Sequence, residues 1–321
     1  MKKILQLILT AIAISACSNS NSSKKETGAS YKPGDLSIIT PTGAPALAFY
    51  NYAEVSNFET NDVPTNIVGM MSNGEKDVVV LPTNAGVQAI VNKNVPYKIA
   101  ATITFGNFYI VSMKNDDNGI MDANDTILLF QKSNVPDKIF HYVYGDELNS
   151  ALHYVGAVSD VASAVIGGKF TDPDLGQELV PNYVMIAEPA LTKVQTKKGE
   201  AISVYANIQE EYKKKSNNAE LFQASVFIKN SLDSNKADAF LENLEIDIKD
   251  AIADPSKMSA GMSKIEDAST VYGVEPAMAE AVLRKNNGMG LGFKLARENK
   301  EAINTFLGIF GINNVDEKIY C

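Results

Sequence analysis

The chain has 321 residues, of which 45% are hydrophobic and 21% charged, and its formal net charge is -9. That is apolar material for one large domain or two modest lobes, and the negative balance argues against nucleic acid as a partner, because phosphate backbones reward clustered Lys and Arg. Arg284 and Arg297 are the only arginines, which excludes a pocket built on paired guanidinium clamps in the first half of the chain.

Lys2 and Lys3 precede an uncharged apolar stretch over residues 4–16, followed by small residues. A basic start, a short apolar run and a small-residue cut describe a secretory signal peptide. The run is too short for a membrane span, which takes about 20 apolar residues. Ile14, Ser15, Ala16 and Cys17 resemble the bacterial lipobox, so the expectation is a signal peptide over residues 1–16 and a lipid on Cys17. Residues 17–34 would then be a flexible polar tether. Cys321 is the other cysteine. A disulfide with Cys17 suits an exported protein, but a lipid on Cys17 would forbid it and leave Cys321 a lone terminal thiol.

From residue 36 onward, strand-like and helix-like patterns alternate. "LSIIT" reads as a strand, "PALAFYNYA" as a helix and "TNIVGM" as a strand; "DVVVLP" is a short apolar run of the kind buried on both faces. Thr83 and Asn84 lead into "AGVQAIVN", of helical spacing, and "YKIAATITFGNFYIVSM" reads as two strands parted near Gly106. The order predicts an α/β sheet with parallel strands. The polar loop over residues 114–125 fails as a calcium loop, since alignment on Gly119 puts Lys114 and Asp125 where a carboxylate and a Glu are needed. A second α/β unit begins at "TILLF". Its helix "VPDKIFHYVYG" has Pro136 and Asp137 in the first turn, where proline is tolerated and an acid complements the dipole. "DVASAVIGGK" reads as a helix, and "NYVMIAEPALTKV" as strand, turn and helix. The last third reads as helices packed on the first unit: Phe240, Leu241, Leu244, Ile248 and Ile252 recur at helical spacing before Pro255.

Catalytic constellations are not written in this chain. His141 and His153 are the only histidines, with no Cys nearby and no carboxylate at a ligand spacing, so they read as surface or packed residues, and no metal or cofactor is expected. "NGMGLGF", residues 287–293, is glycine-rich but follows a helix rather than a strand, the wrong context for a dinucleotide fingerprint. What recurs instead is a strand end opening a helix: Thr42, Gly43 and Ala44; Thr83 and Asn84; Ser133 and Asn134; Glu188 before Pro189. Helix starts carry unpaired N–H groups that hold polar atoms without an ionised side chain. Ser, Thr and Asn also favour such positions for capping alone.

"PTGAPALAF", "DVVVLPTNAG", "YKIAATITFGNFYIVS", "FQKSNVPDKIFHYVYG" and "MIAEPALTKV" together resemble the solute-binding lipoproteins of ABC importers, in the group that includes binders of aliphatic sulfonates, nitrate, taurine and thiamine precursors. The resemblance runs from about residue 36 to residue 320. It implies the two-lobed, type 2 periplasmic-binding-protein fold: two α/β lobes joined by two crossovers, with a solute between them. Carried onto this sequence, residues 35–124 and 225–321 would form the first lobe and residues 125–224 the second, with crossovers near 116–125 and 217–225. The pocket would draw on Thr42, Gly43, Ala44, Thr83, Asn84, Thr104, Phe105, Asn107, Ser133, Asn134, Glu188 and Ser225, with Phe105 stacking on a planar ligand. The implied partners are a small solute and an ABC permease, with the protein a monomer anchored outside the cytoplasm by the Cys17 lipid and performing no bond chemistry. Glu188 points to an amino-bearing heterocycle such as a thiamine pyrimidine precursor; a sulfonate-like anion is the alternative. A non-transport receptor or adhesin would have the same leader. A pyrimidine synthase of the same fold fits badly, since it depends on a cysteine-rich motif that residues 18–320 lack.

Overall fold

The computed structural model describes residues 31–116, 118–285 and 287–321. The expected signal peptide and the lipid position Cys17 lie outside the described residues.

The chain enters through Ile38–Pro41 (β1), a single helical turn Ala44–Leu47 (α1), Phe58–Asn61 (β2), Pro64–Asn73 (α2), Val78–Pro82 (β3), Thr83–Lys93 (α3) and Tyr97–Thr104 (β4). It then forms Phe108–Ser112 (β5), Ile127–Phe130 (β6), Val135–Tyr144 (α4), Leu152–Val155 (β7) and Val158–Gly167 (α5). A small hairpin follows, Phe170–Thr171 (β8) with Glu178–Leu179 (β9), then Tyr183–Ala187 (β10), Ala190–Lys198 (α6), Ser203–Asn207 (β11) and Ile208–Lys215 (α7). The return passes through Ala224–Lys229 (β12), Ser234–Ala253 (α8), Pro255–Met262 (α9), Ala268–Tyr272 (α10), Pro276–Arg284 (α11), Leu291–Leu295 (β13) and Lys300–Gly308 (α12).

Two sheets result. The first has the order β13-β4-β12-β3-β1-β2 and the second β11-β5-β10-β6-β7. In the first, β1 is parallel to β2 and β3, while β12 runs antiparallel between β3 and β4. The residues Val78, Val79, Val80 and Leu81 are buried on both faces, as their unbroken apolar run predicts for a central strand. One face packs on α2, α3 and α12, the other on α1 and the helices α8–α11. The predicted α/β architecture with two crossovers is therefore present, and the C-terminal helices do cover the first sheet.

Sheet membership moves the predicted first crossover. β5 pairs antiparallel with β10 and β11, so the chain leaves the first sheet at Thr104 and not near residues 116–125. The polar loop is tied to the second unit: Tyr183 donates to Asp116 (2.7 Å) and Asn115 to the Pro181 carbonyl (3.0 Å). The return passage runs from the end of α7 at Lys215 to the start of β12 at Ala224.

Two local readings also differ. "TNIVGM" lies in helix α2, not a strand; Pro64 opens it and Gly74, at φ 67°, closes it by donating to Met71 while Glu75 donates to Met70. Its buried residues Ile67 and Met71 are spaced i, i+4, a period that six residues are too few to reveal. The helix expected over "PALAFYNYA" is one turn plus a 3₁₀ segment, Tyr50–Tyr52. Six of the nine residues there are buried, and α9 presses so close that a Cβ on Gly261 would lie 2.9 Å from the Tyr50 carbonyl oxygen. The glycine-rich "NGMGLGF" does follow a helix, α11, and runs into the edge strand β13, antiparallel to β4.

Candidate functional site

Strand direction brings one edge of each sheet together. β3 and β4 are both antiparallel to β12, so β1, β3 and β4 end where β12 begins. In the second sheet β6, β7 and β10 end where β5 begins. Residues 105–107 connect the two edges directly, because Thr104 ends β4 and Phe108 starts β5.

A hydrogen-bonded seam crosses this junction. Two hydrogen bonds join Asn107 and Glu188: the Glu188 N–H donates to the Asn107 carbonyl (3.0 Å), and the Asn107 side-chain Nδ2 donates to the Glu188 carbonyl (3.0 Å). Gln223 Nε2 donates to Asn107 Oδ1 (3.3 Å), the Gln223 N–H donates to the Thr104 carbonyl, and the Thr83 N–H donates to the Gln223 carbonyl (both 3.0 Å). Beneath it, Ser225 Oγ lies 2.7 Å from Thr83 Oγ1 and 2.8 Å from Thr102 Oγ1, all fully buried. Thus Thr83, Thr104, Asn107, Glu188 and Ser225, all predicted site residues, belong to one connected cluster. Gln223 and Thr102 belong to it too and were not predicted. Thr102 is one of the alternating polar residues of a strand, and Gln223 precedes one, so neither position marks itself in sequence.

In this cluster and at Asn84 beside it, three buried side-chain oxygens lack a partner: Asn84 Oδ1, Thr104 Oγ1 and Gln223 Oε1. They stand at the ends of β3, β4 and β12, neighbouring strands of one sheet. A buried polar atom left without a partner costs about 1–3 kcal/mol, so native folds fill such positions with a ligand or ordered water.

Other predicted residues are engaged differently. The Gly43 N–H, at the Thr42–Ala44 turn, donates to the Tyr272 carbonyl (2.9 Å), and a Cβ on Gly273 would sit 3.1 Å from Thr42 Cβ. Both oxygens of Glu188 accept from Thr192, one from its N–H and one from its hydroxyl (2.9 Å each). The carboxylate thereby caps α6. Burial raises its pKa, against the lowering effect of the Thr192 donors and the Lys285 charge. Ser133, at φ 66°, donates its N–H to Asp137 (2.7 Å), and both it and Asn134 are exposed. Phe105 packs edge-on against Phe222 (centroids 5.6 Å apart). It lines a cavity of about 400 Å³ that takes in neither Thr42, Thr83 nor Ser133.

The histidines pair with acids. His153 Nδ1 is 2.6 Å from Asp172, and His141 lies between Asp137 (3.2 Å) and Asp146 (3.1 Å). Among the described residues, no group of three or more His, Cys, Asp or Glu side chains is arranged to hold a metal ion. No helix among them is long and apolar enough to cross a membrane.

No protein-family model matches the chain, and no curated protein matches it by sequence. Solved structures do. An ABC transporter structure from Parabacteroides distasonis superposes with a TM-score of 0.69 at 17% identity, covering 88% of this chain and 97% of that one. The periplasmic aliphatic sulphonate binding protein SsuA from Escherichia coli gives 0.59 at 11% identity, with 87% of each chain covered. The ligand-binding component of an ABC-type import system from Staphylococcus aureus, solved with zinc bound, gives 0.57 at 10%, covering 88% and 94%. The likeness is one of fold: the chain has the two-lobed architecture of the periplasmic binding proteins.

Proposed function

We propose that this chain is the solute-binding component of an ABC-type importer, an extracytoplasmic lipoprotein anchored through Cys17 that passes a small solute unchanged to a membrane permease. The observation that carries the reading is the junction of the two sheet edges at residues 105–107, with three unpartnered acceptors, Asn84, Thr104 and Gln223, beside it. Ligands of open α/β sheets bind beyond the carboxyl ends of strands, and a fold with two crossovers closes around them by hinge motion. The fold shared with importer components supports the same reading.

The solute class follows from the donors it must bring. Asn84 Oδ1 and Gln223 Oε1 accept, and the Thr104 hydroxyl does either. A planar nitrogen heterocycle bearing an amino group, of the thiamine-pyrimidine-precursor kind, supplies such donors. Glu188 supports it less directly than its residue type suggests, because Thr192 holds both oxygens. A sulfonate or nitrate fits less well: Arg284 is paired with Glu280 on α11, and amide oxygens repel an anion. A thermal-shift screen of amino-pyrimidines, sulfonates, nitrate and amino acids on the purified protein tests this. Binding confined to the native state adds about 2.7 kcal/mol at a concentration of 100 Kd, so an amino-pyrimidine should raise the Tm by several degrees. A shift with sulfonates and none with pyrimidines would overturn the solute class; no shift with any solute would favour a surface receptor or adhesin.

A further inference from the structure

The cavity beside Phe105 includes none of the unpartnered acceptors Asn84, Thr104 and Gln223 in its lining, and draws on the edge strand β13 and the end of the edge strand β11. We propose that it is a second ligand site, for a small zwitterion with a flat apolar body, such as an aromatic amino acid. Its volume, about 400 Å³, falls in the usual range of small-molecule pockets, roughly 300–1,000 Å³. Phe105, Tyr109 and Phe293 give it apolar aromatic wall from three separate segments.

The glycine-rich segment that fits no nucleotide fingerprint builds this wall. A Cβ on Gly290 would lie 2.2 Å from the Gly106 carbonyl oxygen, and a Cβ on Gly292 would lie 2.9 Å from the Phe105 ring. Only a strand bare at both positions can lie flat against the first crossover, and Gly290 also has a φ of 64°. The rim carries two ion pairs, Glu220 with Lys294 (2.6 Å) and Glu210 with Lys213 (3.4 Å). Lys294 Nζ also stands 5.9 Å from the Phe105 ring centroid. Two carboxylates and two ammonium groups around an aromatic wall complement a molecule carrying one charge of each sign. The ligand carboxylate takes a lysine and its ammonium a glutamate, while its ring lies on Phe105 and Tyr109. A ligand with a single charge would meet one member of each pair with like sign. The walls come from β13 on the first sheet, β5 and α7 on the second unit, and both crossovers.

The test is calorimetric titration of the purified protein with L-phenylalanine and L-tyrosine. Phenethylamine, 3-phenylpropionate and N-acetyl-L-phenylalanine amide serve as cation-only, anion-only and neutral analogues. The amino acids should bind one per chain, and each analogue about tenfold or more weaker, the loss expected of one charge-assisted hydrogen bond. Glu220→Gln and Lys294→Met should each weaken the amino acid by a similar factor, with circular dichroism and Tm checking the fold. If a rim variant does not fold, Phe105→Leu carries the test and should also weaken binding. Asn84→Ala should leave amino-acid affinity unchanged; its loss there would place the ligand at the junction instead and overturn the proposal. Failure of both amino acids to bind at millimolar concentration, or binding indifferent to the rim variants, would overturn it as well.

Discussion

Ser225 stands between two buried threonines and completes both: its Oγ reaches Thr83 Oγ1 and Thr102 Oγ1 at 2.7 and 2.8 Å. Replacing it by alanine removes little volume but leaves two hydroxyls without a partner in a fully buried place. Each such group costs about 1–3 kcal/mol, and rearrangement between the two threonines offsets part of that. Ser225→Ala should therefore lower stability by about 1–3 kcal/mol, seen as a lower urea midpoint with the m-value unchanged. The same hydroxyls show what residue identity leaves open. Thr83 and Ser225 are conspicuous as polar residues at strand ends, and they do sit at the junction. Whether their hydroxyls face a guest or one another depends on β12 pairing between β3 and β4, from which it is far removed in the chain. Asn84, one residue on, keeps its acceptor unpartnered.

Helix α6 begins at a carboxylate that belongs to the preceding strand end, and its electrostatics give a pH signature. Burial raises the Glu188 pKa above its ordinary 4.5, although Thr192 and Lys285 act in the opposite direction. The folded protein then binds more protons at this group than the unfolded chain does. The stability it contributes is fully present below 4.5 and is lost as pH rises through the folded value. Urea melts of the native protein and Glu188→Gln across this range should show the native protein's advantage shrinking as pH rises; a constant or growing difference would mean that the carboxyl pKa is not raised. At the scale of elements, strong runs were legible: "DVVVLP", "TILLF", and the long helix holding Phe240, Leu244 and Ile248. Short ones were not. β2, β7 and β11 lack a distinctive apolar pattern. β5 sits in the second sheet although it follows β4 after only residues 105–107, because its partners β10 and β11 come about 70 residues later or more, and nothing local announces them.

Across the whole molecule, the segment after α11 is where the first unit touches the second away from the crossovers. Lys285 Nζ donates to Gln195 Oε1 on α6 (2.5 Å), and a Cβ on Gly288 would lie 3.4 Å from Glu188 Cγ. Lys285 is exposed, so its contact with a neutral amide is worth no more than an exposed polar pair, about 0.2–1 kcal/mol. If the chain is the hinged receptor proposed above, it feels even that, because the apparent Kd scales inversely with the fraction of molecules already in the closed arrangement. If the Lys285–Gln195 contact exists only when the units are together, Lys285→Ala should shift the balance toward separation by up to about fivefold. Small-angle X-ray scattering of the solute-free protein should then give a larger radius of gyration. The Kd for the solute found by thermal shift should rise as the closed fraction falls, by at most that factor, while saturating solute restores the compact value. A changed Kd with an unchanged radius would instead assign Lys285 to the solute itself, through its charge beside Glu188, and not to the balance between the two units.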